Sequence, residues 1–468
     1  MPQRLRSDHF PTLTGAWRRG RLGRAIIAAM ARHFSLSGFP EWLPEQRLVE
    51  QHVLKTLEDT FELHGFSGIE TRAVEPVSHL LSKGETSKEI YLLSRLQAEA
   101  ATDDAELGLH FDLTVPLARY VVENAGRLMF PFKRYQIQKV WRGERPQDGR
   151  FREFIQADVD VVGQDTLSQH HDLERPLVMV DALAKLPIPK VIVRASNRKV
   201  AQGFYEAIGL DDIEGALRAI DKLDKIGEKA VAELLVNDGA TEKQAEQALA
   251  LARISGHDGA IADEILALGA RSELLDEGLQ ELVALVEGAN ELMPGSIVAD
   301  LKIARGLDYY TGTVYESTMV GHEDLGSVCS GGRYDSLATD GKKTYPGVGL
   351  SIGVSRVLAR VLGTPLVETS RKVPTAVLVA VLDEANRPAS DRIAMQLRER
   401  GIATEVSPSA AKFGKQIRYA DRRGIPFVWF PGSTDSVKDI RSGDQVDADP
   451  STWEPPVEDL YPSVRMLP

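Results

Sequence analysis

The chain has 468 residues, 43% of them apolar and 26% charged, and carries a formal charge of −12. That length suits about three domains, and the composition is that of an ordinary soluble globular protein. The acidic balance argues against a protein that coats nucleic acid non-specifically, though not against one that binds a single folded RNA through local basic patches. The single cysteine, Cys329, excludes a disulfide framework or a multi-cysteine zinc site, and no apolar run reaches the ~18 residues of a membrane span.

Residues 1–29 hold six arginines and one acidic residue, Asp8, without sustained periodicity. Residues 1–31 therefore read as a disordered or non-native N-terminal extension, with Met30 opening a more natural start. From Pro44 to Leu63 the apolar residues Val49, Val53, Leu57 and Phe61 form a helical stripe, with Pro44 at the start and Gly65 past the end. Short strands follow at Gly68–Val74, Tyr91–Leu96 and Leu109–Phe111, then a helix at Val115–Asn124. Arg134–Arg142 and Phe154–Val162 read as two strands, the second alternating with its polar residues on one face. After a strand at Val191–Arg194, residues 196–293 turn rich in Ala, Glu, Leu and Lys. They read as a helical insertion without a convincing strand. Strand character resumes at Ile297–Glu316 and runs through Gly331–Leu362. Near Pro374 strand and helix begin to alternate, as in a compact α/β domain, and the Pro-rich, acidic stretch after Val446 reads as a loosely ordered strap. The predicted core, residues 32–195 and 294–370, is an α+β domain: an antiparallel sheet flanked by helices. Residues 371–446 form a separate α/β domain, and 447–468 a tail.

Five clusters carry the chemistry. Arg142-Gly143-Glu144, a loop with Pro and Gly, then Arg150 to Phe154 make a hairpin that can present two guanidinium groups to one polyanion. A solvated charged hairpin is the plain alternative. Pro346–Leu362 is a glycine-rich strand running into a helix, with Arg356 in its first turns, which suits a flat ligand with a phosphate. Asp112-Leu113-Thr114 precedes a helix, where Asp112 suits a cap as well as a ligand. Gln156 and Asp160 share strand parity and face one way. In ARGLDYYTGTVYE, Ala304 to Glu316, Arg305, Asp308, Tyr309 and Tyr310 form a polar cluster inside a sequence that otherwise reads as a strand, with CSGGRYDSL following. Arg333 and Tyr334 are read as lining that same pocket, and Cys329 as a buried inert thiol.

These motifs together resemble the histidyl-tRNA synthetase family over roughly residues 37–446. Arg142–Glu144 with Arg150–Phe154 is similar to motif 2 of class II aminoacyl-tRNA synthetases, and Pro346–Leu362 to motif 3. The Ala304 segment is similar to a histidine-specific motif, and KFGKQIRYADRRGIPF to an anticodon-binding domain. The resemblance implies a six-stranded-type class II sheet, and a homodimer built through the Pro44 helix and the strand after it. It implies ATP-dependent activation of L-histidine, with Mg2+, and transfer to tRNA(His) in the cytoplasm. By resemblance, Asp112, Leu113, Thr114 and Gln156 hold the α-amino group, while Asp160 and Tyr310 read the imidazole and Tyr309 and Tyr334 shape the pocket. Arg142 and Arg305 bracket the carboxylate and α-phosphate as the catalytic pair. Glu144, Phe154 and Arg356 take adenine, Arg150 the polyphosphate, and no protein metal site is implied. Two departures stand out. Asp112 and Asp160 occupy positions where many bacterial members carry Glu, and His110 stands where Arg is expected. The rival reading is a non-catalytic, synthetase-like regulatory subunit of the first histidine-biosynthetic enzyme. Such paralogues usually lack the anticodon domain and parts of the arginine set. A third is a ligase of the same fold that adenylates another acid.

Overall fold

The computed structural model describes residues 36–81, 89–94, 107–304, 306, 310–336 and 338–467. The N-terminal extension, Arg305, Asp308 and Tyr309 lie outside them.

Helix α1 (Pro44–Leu63) begins as its sequence demands. Pro44 opens it, and the Gln46 side chain accepts from the Leu43 amide at 3.0 Å, which satisfies one donor at the helix start. Its apolar stripe, Val49, Val53, Leu57 and Phe61, is buried. Full burial of side chains such as Leu57 and Phe61 stabilises by about 1.5–3 kcal/mol each.

That stripe packs on a sheet whose centre is six antiparallel strands. In chain order these are β1 (Phe132–Trp141), β2 (Glu153–Val162), β3 (Val191–Asn197), β4 (Thr313–Met319), β5 (Cys329–Tyr334) and β6 (Gly347–Gly353). Their order across the sheet is β1-β2-β6-β5-β4-β3, and every neighbouring pair is antiparallel. Ser67–Gly68 adds a parallel edge beside β1, and Ile297–Asp300 a parallel strand beside β3. Alternation along β2 divides its residues cleanly. Ile155, Ala157, Val159 and Val161 join the apolar core with α1 and helix α3 (His170–Ala184), while Gln156, Asp158 and Asp160 take the other face. Helix α2 (Thr114–Asn124) lies between α1 and β1 in the chain, and α4 (Val354–Gly363) leaves β6 directly.

Several segments differ from the sequence reading, among them Ile297–Glu316, whose described strands are Ile297–Asp300 and Thr313–Met319. The predicted strand Gly68–Val74 is two short strands, Ser67–Gly68 and Val74–Pro76. Between them the Thr71 carbonyl accepts from Gln138 Nε2 at 2.9 Å, so a side chain replaces the ladder there. Among the described residues of the next predicted strand, Leu92–Leu93 pairs. The helical stretch contains a two-residue strand, Ser255–Gly256, on the edge of the main sheet. Its helices share one apolar core with that sheet, through Phe204, Leu275, Leu282 and Val286.

The C-terminal unit is a five-stranded sheet ordered Thr404–Val406, Val377–Val379, Phe427–Phe430, Ser436–Asp439 and Gln445–Asp447. Its first three strands are parallel, with helices Arg387–Glu399 and Phe413–Arg423 between them. The tail expected to be loose is pinned. Arg400 donates to the carbonyls of Pro450 and Trp453, Arg371 to those of Asp459 and Leu460, and Arg441 pairs Asp459 twice at 2.8 Å. Arginine forks capture carbonyls that a Pro-rich segment cannot satisfy in a ladder.

Candidate active site

The Arg142 hairpin closes as its loop residues direct. Gln147 and Arg150 bridge, and Gly149 takes φ +65°, a left-handed turn position where a side chain would also strike Leu325 at 2.6 Å. Beside the hairpin is a cavity of about 370 Å³ lined by Arg142, Glu144, Arg150, Phe154, Gln156 and Arg356. Every residue read as nucleotide-binding is therefore on one wall system. Arg142 Nε donates to the Phe111 carbonyl at 2.9 Å, and its guanidinium stacks 5.2 Å from the Phe154 ring centroid. Arg150 lies 3.9 Å from Glu144, and Arg356 donates to the Ser327 carbonyl. Lys225, Glu316, Ser330 and Ser351 also line it.

Sequence reasoning passed over these four. Glu316, Ser330 and Ser351 lie on one cross-strand row with Asp158 and Gln136, so they share a face. Strand pairing, which cannot be seen in the sequence, puts them there. Lys225 comes from a separate helix, Leu223–Asn237.

Of the described residues read as histidine-binding, Gln156 and Asp160 lie on this same face, and Tyr310, Tyr334 and Asp112 stand near Asp160. Asp160 pairs with Arg134 at 2.7 Å and accepts from the Tyr334 hydroxyl at 2.8 Å. Both Asp160 and Arg134 are buried. Arg134 is fully enclosed, and nothing in its surface-like sequence context announced that. Gly349 makes the arrangement possible, since a Cβ there would sit 1.9 Å from Asp160 Oδ1. Gly332 likewise leaves room for the Tyr310 ring, 2.7 Å from where its Cβ would be. Tyr310 is pushed well above the usual phenol range by burial, then by Asp160, Asp158 and Asp112 nearby. Asp112 accepts from the Val115 amide at 3.1 Å, so it also caps α2, with Leu113 fully buried and Thr114 half-buried at the helix start. Gln156 Nε2 donates to Ser351 Oγ at 2.8 Å.

Arg333 does not share this pocket. Its neighbour Tyr334 points at Asp160, and adjacent strand residues face opposite ways. Arg333 instead grips Asp172 of α3 at 2.6 and 3.1 Å. Cys329 is buried on the cavity wall, and burial pushes its thiol up to about 12, as an inert thiol requires. His110 is fully buried, with Nε2 2.7 Å from the Lys139 carbonyl and its ring stacked on Trp141 at 5.6 Å. Burial lowers its pKa, so it serves as a neutral packing group where an arginine was expected. Among the described residues no cluster of three or more His, Cys, Asp or Glu is arranged to hold a metal ion.

Comparison with known proteins gives the same frame. Residues 38–357 match the family model described as histidyl-tRNA synthetase, and residues 376–450 the anticodon binding domain. A histidine–tRNA ligase of Micrococcus luteus is 58% identical over 453 residues, covering 93% of this chain and 99% of that protein. One from Thermobifida fusca is 50% identical, covering 89% and 97%. Among solved structures, the histidyl-tRNA synthetase of Nostoc sp. PCC 7120 is 35% identical with a TM-score of 0.80, covering 89% of this chain and 97% of that one. A Bacillus halodurans chain described as an ATP phosphoribosyltransferase regulatory subunit/histidyl-tRNA synthetase is 19% identical with a TM-score of 0.69, which is a likeness of fold alone. With the arginine-lined cavity, the buried Asp160 pocket and both domains in place, the chain belongs to the histidyl-tRNA synthetase family.

Proposed function

We propose a division of labour for this chain, which is a histidine–tRNA ligase using ATP. Asp112, Thr114 and Gln156 hold the α-amino group, with the Leu113 backbone beside them. Asp160 and Tyr310 pair with the imidazole nitrogens, and Tyr309 and Tyr334 shape the ring pocket. Glu144, Phe154 and Arg356 hold adenine, and Arg150 the polyphosphate tail. Arg142 and Arg305 bracket the carboxylate and the α-phosphate. The carboxylate attacks that phosphorus in line, giving histidyl-adenylate and pyrophosphate, and the tRNA's terminal ribose hydroxyl then takes the acyl group. The first step needs little proton transfer, so catalysis is positioning and stabilisation of charge on the α-phosphate.

Mg2+ is proposed to arrive with ATP, since magnesium favours phosphate oxygens and few protein ligands. Glu316, on the cavity wall, would supply any direct carboxylate contact. A pocket that pairs both imidazole nitrogens leaves buried groups unpaired with a wrong side chain, which gives discrimination without editing. The α1 helix and the Ser67–Gly68 edge strand are the proposed homodimer surface, and sedimentation velocity tests it. The proposed location is the cytoplasm.

The observation carrying this reading is the single cavity lined by Arg142, Glu144, Arg150, Phe154 and Arg356, with Gln156 joining it to the Asp160 pocket. Arg305→Ala should abolish histidine-dependent ATP–pyrophosphate exchange while the chain stays folded, and near-normal exchange would refute the role. Charging of tRNA(His) by the purified protein tests the whole assignment.

A further inference from the structure

Between Gln156 and Asp160, on the same strand face, stands Asp158, to which the roles above give nothing. Asp158 is 3% exposed, and Ser351 of β6 is its direct cross-strand partner. Gln156 Nε2 donates to Ser351 Oγ at 2.8 Å, and the Ser351 and Asp158 side chains are hydrogen-bonded. Gln156 Oε1 is buried without a hydrogen-bond partner among the described residues. A serine hydroxyl has one hydrogen to donate, and an ionised carboxylate only accepts. Ser351 must therefore give its hydrogen to an ionised Asp158, leaving only lone pairs for Gln156. The amide then has to turn its NH2 group to Ser351 and its carbonyl oxygen away from it.

We propose that Asp158 is a positioning residue for the amino-acid substrate: through Ser351 it locks the Gln156 amide with its carbonyl oxygen toward the α-ammonium group. This rests on the reading that Gln156 holds that group. A protonated Asp158 opens a second state. The acid donates to Ser351, Ser351 donates to the amide oxygen, and the amide NH2 faces an ammonium that has only hydrogens to offer.

The charged and titratable groups around Asp158 are Arg134 of β1, Asp160 on its own strand, Asp112 ahead of α2, Tyr310, and Cys329 of β5. Burial pushes Asp158 up to about 7; Arg134 opposes this, and Asp160 and Asp112 add to it. The lock is set above neutrality and lost as pH falls.

The test is ATP–pyrophosphate exchange by the full chain and by Asp158→Asn, Ser351→Ala and Gln156→Ala, from about pH 6 to about pH 8. Competition by 3-(imidazol-4-yl)propionate, which is histidine without its amino group, runs alongside. Asp158→Asn should raise the histidine KM roughly 10- to 100-fold near pH 8. Inhibition by the propionate and the KM for ATP should not move. The ratio of variant to wild-type KM should shrink toward pH 6. Ser351→Ala, which removes only the link, should act in the same direction and carries the comparison if Asp158→Asn does not fold. Equal weakening of histidine and the propionate, or a ratio flat with pH, would overturn the proposal. An unchanged histidine KM in Gln156→Ala would instead strike the reading of Gln156. A raised one beside normal Asp158→Asn and Ser351→Ala would strike the relay alone.

Discussion

Gly349→Ala is the substitution that probes the recognition pocket most directly. The new Cβ would stand 1.9 Å from Asp160 Oδ1 and 2.4 Å from its Cγ, well inside the ~3.5–4.0 Å at which nonbonded atoms are comfortable. Asp160 is not a loose chain end that can swing aside. Arg134 pairs with it at 2.7 Å and the Tyr334 hydroxyl donates at 2.8 Å. Moving the carboxylate strands a fully buried guanidinium, a loss of about 3–5 kcal/mol for a broken buried pair. Removing a strand glycine recovers about 0.5–1 kcal/mol, so the fold should lose roughly 2–4 kcal/mol. If Asp160 pairs with the imidazole as proposed, the ring also loses a charged partner worth about 1.5–3 kcal/mol, or roughly 10- to 100-fold in the histidine KM. Pyrophosphate exchange and a thermal melt measure both effects. Gly363→Ala, where a Cβ would meet nothing within 4 Å, is the control. A Gly349→Ala protein with wild-type histidine KM and thermal midpoint would show that Asp160 does not read the ring from this position.

Arg142→Lys keeps the charge but loses the fork that holds Phe111 and stacks on Phe154, so kcat for exchange should fall roughly 100-fold or more, measured at saturating ATP. Phe154→Leu should raise the KM for ATP roughly tenfold and leave the histidine KM alone, because its ring lines the cavity proposed to hold the nucleotide. Cys329 should resist iodoacetamide at pH 8 in the folded protein and react fully in urea; rapid native labelling would contradict its burial. Because burial raises Asp158 above an unfolded carboxylate, the folded chain holds its proton more tightly. That contribution is complete below the unfolded value and is lost as pH rises to about 7. The melting temperature of Asp158→Asn should therefore fall less steeply than wild type across that range.

Much of the site was legible because its motifs are local. Arg142 to Phe154 is one hairpin, and the α1 stripe and the β2 alternation each follow from a single period. What was not legible is what strand pairing assembles. Asp158 and Ser351 are far apart in the sequence and opposite each other in the sheet, and Arg134 reads as one more charge on a strand until Asp160 and full burial appear beside it. Arg333 was misassigned because two adjacent side chains were given one direction, which a strand forbids. The tail misled because its Pro and acidic content hides the arginines elsewhere in the chain that hold it.

The tail ends in a strand, Val464–Met466, paired antiparallel to Val367–Thr369. That partner lies in the linker between the catalytic core and the C-terminal sheet, and Val464 and Val367 both pack against the core. The chain thus passes the joint twice, going out and coming back. The C-terminal unit is tethered at both of its ends by a two-stranded ribbon, where a single covalent link would allow free swivelling. Rotation of that unit has to bend the ribbon as a whole, so a push on the anticodon side reaches α1 through paired backbone. A substitution that breaks the pairing, such as Val367→Pro, should loosen this joint without touching either sheet.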